Sequence, residues 1–115
     1  MIEIPQDAKT VEVEGATVEF KRFEKDGITY YAFDTSRCGP PEPMVNAMAG
    51  LKLVKDPTIK LVMINHKLPM GLLNKIEENY EIEKETLPDG RVELVFGYKP
   101  GASEKADLSD SHCSG

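Results

Sequence analysis

Residues 28–51 read Ile28-Thr-Tyr-Tyr-Ala-Phe-Asp-Thr-Ser-Arg-Cys-Gly-Pro-Pro-Glu-Pro-Met-Val-Asn-Ala-Met-Ala-Gly-Leu51, and their hydrophobic period changes halfway. Ile28 to Phe33 is rich in β-branched and aromatic residues, which suit a pleated, half-buried surface and predict a strand. Cys38-Gly-Pro-Pro-Glu-Pro43 then packs three prolines and a glycine into six residues, a stiff and irregular turn. Beyond it Met44, Ala47, Met48 and Leu51 recur at i, i+3, i+4 and i+7, one face of an amphipathic helix. Pro43 suits the first helical turn, where its missing N–H is no loss. Gly50 weakens such a helix by roughly 1 kcal/mol relative to alanine, a cost that close packing on a sheet would explain.

Reading outward, Val11 and Val13 alternate with Glu12 and Glu14, and Val18 and Phe20 with Glu19 and Lys21. Gly15-Ala16 can turn the chain between them, so a hairpin is expected over residues 10–24. Asp26-Gly27 is a strong hairpin signal, because both residues tolerate positive φ. Downstream, Asp56-Pro57 punctuates and Ile59 to Asn65 reads as a strand. Its near-continuous Leu61-Val-Met-Ile64 suits a central strand covered on both faces. Pro69 opens a second helix, with Leu72, Leu73, Ile76 and Tyr80 as its buried stripe. Two further strands meet at Pro88-Asp-Gly90, the last with Val92, Leu94, Phe96 and Tyr98 on one face. From Lys99 the composition predicts a mobile tail, 99–115.

The order β-β-β-α-β-α-β-β predicts an α/β (α+β) two-layer sandwich, one domain over residues 1–98, with both helices on one face. The strand at 28–34, the helix at 43–54 and the strand at 59–65 form a βαβ unit, so the two strands should be parallel. Their C-terminal ends then share one edge. The turn 35–43 and the segment 65–69 meet there, where ligands of open α/β sheets bind.

Composition narrows the function. With 115 residues, 40% hydrophobic and 30% charged, the chain is a single globular domain, not a disordered one. A net charge of -6 makes sequence-independent nucleic-acid binding a poor expectation. No apolar run approaches the roughly 20 residues that cross a bilayer, so no membrane span is expected. Met1-Ile-Glu-Ile-Pro5 lacks the features of a signal peptide, and two cysteines make no disulfide framework. A cytoplasmic location is the expectation. The charge is uneven: residues 35–76 carry only Glu42 and Asp56 against Arg37, Lys52, Lys55, Lys60, Lys67 and Lys75, between two acidic flanks. Arg37 and Lys67 fall near the expected edge.

Asp34-Thr-Ser-Arg-Cys-Gly-Pro-Pro-Glu-Pro-Met44 resembles the signature of the TusA-like (SirA-like) small sulfur-carrier family: a strand, Asp-x-x-Gly, then Cys-Pro-x-Pro at the first helix. The resemblance spans residues 28–98 and implies a βαβαββ core, with the hairpin added before it. Pro41-Glu42-Pro43 corresponds to the family's Pro-x-Pro. Pro40 occupies the slot of the sulfur-carrying cysteine, and Cys38 lies two residues upstream. Pro40-Pro41-Glu42-Pro43 together with Asn65-His66-Lys67-Leu68-Pro69 looks more like a branch of that superfamily known mainly as a domain of unknown function, attached to other modules in bacterial and archaeal redox proteins.

Two functions follow from these residues. In the first, Cys38 is the reactive group of a persulfide carrier or thiol-redox protein, acting by contact with a sulfur-relay or redox partner. A helix N-terminus, with Arg37 and Lys67 nearby, would favour its thiolate. His66, ending the second parallel strand, could serve as base or donor. In the second, the domain is a non-catalytic module that binds a small anion or a partner protein through Arg37, Pro40, Pro41, Glu42, Pro43, His66 and Lys67. Cys38, His66, His112 and Cys113 match no zinc spacing, and Met44, Met48, Met63 and Met70 read as core filler, so neither metal nor cofactor is expected. The sequence sets no oligomeric state.

Overall fold

The computed structural model describes residues 4–39 and 41–103. Within them the elements follow the expected order: β1 (Lys9–Val11), β2 (Phe20–Lys25), β3 (Ile28–Asp34), α1 (Glu42–Leu51), β4 (Ile59–Asn65), α2 (Met70–Ile76), β5 (Tyr80–Thr86) and β6 (Val92–Tyr98). The six strands form one mixed sheet in the order β1-β2-β3-β4-β6-β5. Only β3 and β4 are parallel, joined through α1 as a βαβ unit. Asp26 and Gly27 both take positive φ, 54° and 80°, and form the two-residue turn that pairs Lys25 with Ile28.

Strand alternation sends Phe33, Leu61, Met63, Leu94 and Phe96 to the face that α1 and α2 cover. Met44, Ala47, Met48 and Leu51 of α1 join that core with Leu72, Leu73 and Ile76 of α2. The opposite face holds a smaller cluster of Phe23, Ala32, Val62 and Val95. Val62 is fully buried there, so β4 is enclosed on both sides, as its unbroken apolar run requires. Phe20 and Phe33 stack on the helix face with centroids 4.8 Å apart.

Gly50 sits where α1 touches the sheet. A Cβ at this position would lie 2.6 and 2.9 Å from the two Leu61 methyls and 3.1 Å from the Phe20 ring. Closeness of helix and sheet here requires a residue without a side chain. Asn46 makes the second tie. It is fully buried on α1, and its Oδ1 accepts from the Thr17 and Val18 N–H groups at 2.8 and 3.2 Å. Its Nδ2 donates to Thr17 Oγ1 and to the Glu42 carbonyl at 2.8 and 2.9 Å. An amide in an apolar core is tolerable because all of this capacity is used.

Three sequence expectations shift. β1 pairs with β2 only from Lys9↔Arg22 to Val11↔Phe20, so residues 12–19 make a broad loop in place of two longer strands. The chain does turn at Gly15, with φ 86° and Ala16 N–H donating to the Val13 carbonyl at 3.0 Å. The cause is Asn46, which draws Thr17 and Val18 onto α1, and Val11, Val13, Ala16 and Val18 pack against the main core. The hairpin is therefore integral to the fold. Tyr80, expected on the second helix, begins β5, because α2 stops at Ile76. Finally, residues 99–103 are anchored: Ser103 Oγ accepts from Lys99 N–H at 2.8 Å and donates to the Asn79 carbonyl at 2.6 Å. The remainder of the expected tail, 104–115, lies outside the described residues.

Gly50→Ala should destabilise the protein by about 1–2 kcal/mol despite alanine's better helix propensity, because Leu61 and Phe20 are enclosed and cannot yield. Urea denaturation followed by circular dichroism measures the difference; an unchanged or raised midpoint would contradict the close-approach argument.

Candidate functional site

The parallel strands β3 and β4 end side by side, and their hydrogen bonding continues past the sheet. Thr35 N–H donates to the Ile64 carbonyl at 2.8 Å. The Thr35 hydroxyl donates to Asn65 Oδ1 at 3.0 Å, and Asn65 Nδ2 donates onward to the Lys67 carbonyl at 2.9 Å. Thr35 and Asn65 are both buried. The chain after β3 and the chain after β4 are thus locked into one rim beside the start of α1. This is the edge that the βαβ reading of the sequence anticipates.

The turn from β3 into α1 is built locally. Asp34 Oδ1 accepts from Ser36 N–H at 2.7 Å, an Asx turn. Cys38 N–H then donates to the Thr35 carbonyl at 3.0 Å, and Glu42 N–H to the Gly39 carbonyl at 3.1 Å. Pro41 stands at the cap position of α1 with no side-chain cap hydrogen bond, and Pro43 fills the first turn. Pro43 is buried, so it supports the rim instead of presenting a surface. Arg37, Pro41, His66 and Lys67 are exposed, and Glu42 is partly buried. Pro40, His112 and Cys113 lie outside the described residues.

Residues that the sequence reading missed complete the rim. Arg91, from the turn between β5 and β6, donates from its NH1 to Asp34 Oδ2 at 3.0 Å and from its Nε to Asp89 Oδ2 at 2.7 Å. The Arg91 backbone N–H, and then its guanidinium, hold the Asp89 carboxyl below its ordinary range. A turn written Asp89-Gly90-Arg91 signals a local ion pair, but its reach to Asp34 depends on β6 pairing with β4. Leu68 and Met70 were missed as well. They are 38% and 54% exposed, flanking the buried Pro69. Met44, Met48 and Met63 are core, as expected; Met70 is not, because it opens α2 on the side facing away from the sheet.

The electrostatics around Cys38 reverse the expectation of an activated thiolate. Its half-buried thiol is pushed above the ordinary cysteine range, first by burial, then by its hydrogen bond to the Glu42 carboxylate and the charges of Glu42 and Asp34. Carboxylates, not Arg37 and Lys67, dominate its surroundings. At neutral pH the group is a protonated thiol. Arg91 pairs with Asp34 and Asp89, and Glu42 bonds the Cys38 thiol, so the basic central segment does not form a basic pocket. The side chains of Arg37 and Lys67 have no partner among the described residues. No three His, Cys, Asp or Glu side chains converge among those residues in a way that could hold a metal. No described helix is long and apolar enough to cross a membrane.

Compared with known proteins, the chain matches no family model, no curated protein and no solved structure.

Two outcomes are expected. The pH midpoint for alkylation of Cys38, mapped by peptide mass to separate it from Cys113, should lie above the ordinary value of about 8.5 and fall in Glu42→Gln. A folded thiol that titrates late contributes stability that is intact below about pH 8.5 and lost as pH rises through the folded value, a loss absent from Cys38→Ser. Separately, Thr35→Val should cost about 1–3 kcal/mol in urea denaturation, because Asn65 Oδ1 loses its buried donor.

Proposed function

We propose that this chain is a TusA-like domain working as a non-catalytic binding module, which docks a partner protein through the rim formed by residues 35–39, 41 and 65–70. The observation that carries the reading is the exposed pair Leu68 and Met70, next along the chain from Lys67, on the rim that the Thr35–Asn65 bond joins to the Arg37 turn. Large apolar side chains, methionine among them, with arginine nearby are what protein interfaces concentrate. Leu68 lies on the loop that Asn65 ties at Lys67, and Met70 is the first residue of α2, so docking there costs little ordering of the backbone. The partner surface that fits is an apolar patch fringed by carboxylates. Asp34, Glu42 and Asp89 around the same rim disfavour a small free anion as the ligand.

Support for the TusA-like core is the βαβαββ order of residues 28–98 and the Pro41-Glu42-Pro43 turn at the start of α1. The resemblance implies a partner in sulfur or redox handling, in the cytoplasm. The partial exposure of Cys38 favours a second reading, a persulfide carrier. In that reading the Cys38 sulfur attacks the outer sulfur of a donor persulfide; the donor leaves as a thiol and Cys38 keeps the –SSH group. The raised thiol works against this step, because the thiolate is the attacking species.

One experiment separates them. Cross-linking of the tagged protein in cells, quantified by mass spectrometry, should show a defined partner set that Leu68→Asp/Met70→Asp reduces by about tenfold or more and Cys38→Ser leaves intact. Treatment with a cysteine desulfurase and cysteine should add no persulfide mass of about 32 Da to Cys38. A persulfide on Cys38, with partner capture lost in Cys38→Ser, would replace the first reading by the second.

A further inference from the structure

Among the described residues the sheet has a lateral edge with no neighbour, at β1. In an antiparallel pair alternate backbone N–H and C=O groups of the outer strand point away from its neighbour. Next to this edge a cavity of about 660 Å³ opens between β1 and the 12–19 loop. Its floor is apolar, made by the half-buried Val11, Val13, Ala16 and Val18; its rim carries Glu12, Glu14 and Glu19. The loop that shapes it is held in place by three Asn46 hydrogen bonds, so the cavity exists before any ligand arrives.

The charges on the rim are not equivalent. Lys21 lies 2.6 Å from Glu19 and also donates to Thr10 Oγ1 at 2.6 Å, and Thr10 donates to Glu19 at 3.1 Å. These contacts hold the Glu19 carboxyl below its ordinary range. Glu12 and Glu14 are exposed and have no partner among the described residues. Lys9 stands at the far end of β1, away from them in sequence. The edge strand therefore offers backbone hydrogen bonds, and the loop that follows it adds an apolar hollow and two carboxylates, Glu12 and Glu14, without a partner among the described residues.

We infer that this edge binds an extended peptide in which apolar residues alternate with lysine or arginine. The peptide adds as a further strand beside β1, places an apolar side chain over Val11, Val13 and Val18, and brings its cations to Glu12 and Glu14. The charge pattern selects this occupant: a second copy would set the same carboxylates against each other, in a chain whose net charge is -6. None of these residues belongs to the rim of residues 35–39, 41 and 65–70, so the two surfaces are distinct.

The test is a ¹⁵N-NMR titration of the full chain with a capped peptide of alternating lysine and valine, about seven residues long to match a strand. Shifts are expected at Lys9 to Val13 and at Val18, weakening as salt is raised. Glu12→Lys/Glu14→Lys should retain the parent spectrum elsewhere and bind about tenfold more weakly or worse. Methylating alternate backbone nitrogens of the peptide should abolish binding. The inference is overturned if the protein shows no shifts, if a glutamate-valine peptide binds equally, if methylation has no effect, or if the shifts fall on Arg37, Lys67 and Leu68 instead.

Discussion

The bond from the Thr35 hydroxyl to Asn65 Oδ1 closes the one parallel strand pair in the molecule's described sheet. Parallel pairing forces the chain to leave β3 and β4 in the same direction, so two loops with no sequence proximity must share one edge. Left alone they would carry unpaired polar groups at a buried strand end. Thr35 and Asn65 supply the partners, and Asn65 passes the constraint on to the Lys67 carbonyl. The position of Arg37 and Cys38 relative to His66, Lys67 and Leu68 follows from this lock.

Much of the architecture is legible in the amino-acid order because it rests on local chemistry. The shift in period around the proline turn, the Asp26-Gly27 pair and the unbroken apolar run of β4 each depend on neighbours a few residues away. The 12–19 loop is different. Gly15-Ala16 reads as a turn between two short alternating runs and is one, yet the Thr17-Val18 stretch after it is held by Asn46, about thirty positions downstream. Nothing in the alternation of valines and glutamates announces that contact. The signal was instead on the helix: an asparagine among Met44, Ala47 and Met48, a polar group that needs partners from elsewhere.

The site is legible in outline and not in its electrostatics. Element order places residues 35–43 beside 65–69, and the structure joins them. Charge counting along the chain then misleads, because the sheet brings in carboxylates from outside the basic segment. Asp34 ends the preceding strand, and Asp89 arrives with Arg91 from the β5–β6 turn. Glu42, the sole acid of the first helical turn, reaches the Cys38 thiol itself. A helix start usually favours a thiolate; here burial and that carboxylate outweigh it. Leu68 and Met70 escaped notice for a related reason. Hydrophobic residues are read as interior by default, and exposure becomes visible only when the loop is placed.

The four hydrogen bonds of Asn46 also bear on how this chain can vary. One side chain holds Thr17 and Val18 at the edge cavity and the Glu42 carbonyl where α1 begins. Three of those bonds reach backbone groups, which any residue supplies at positions 17, 18 and 42. Only the Thr17 hydroxyl is a side-chain partner, so the identities of residues 17 and 46 are tied to each other while those of residues 18 and 42 are not.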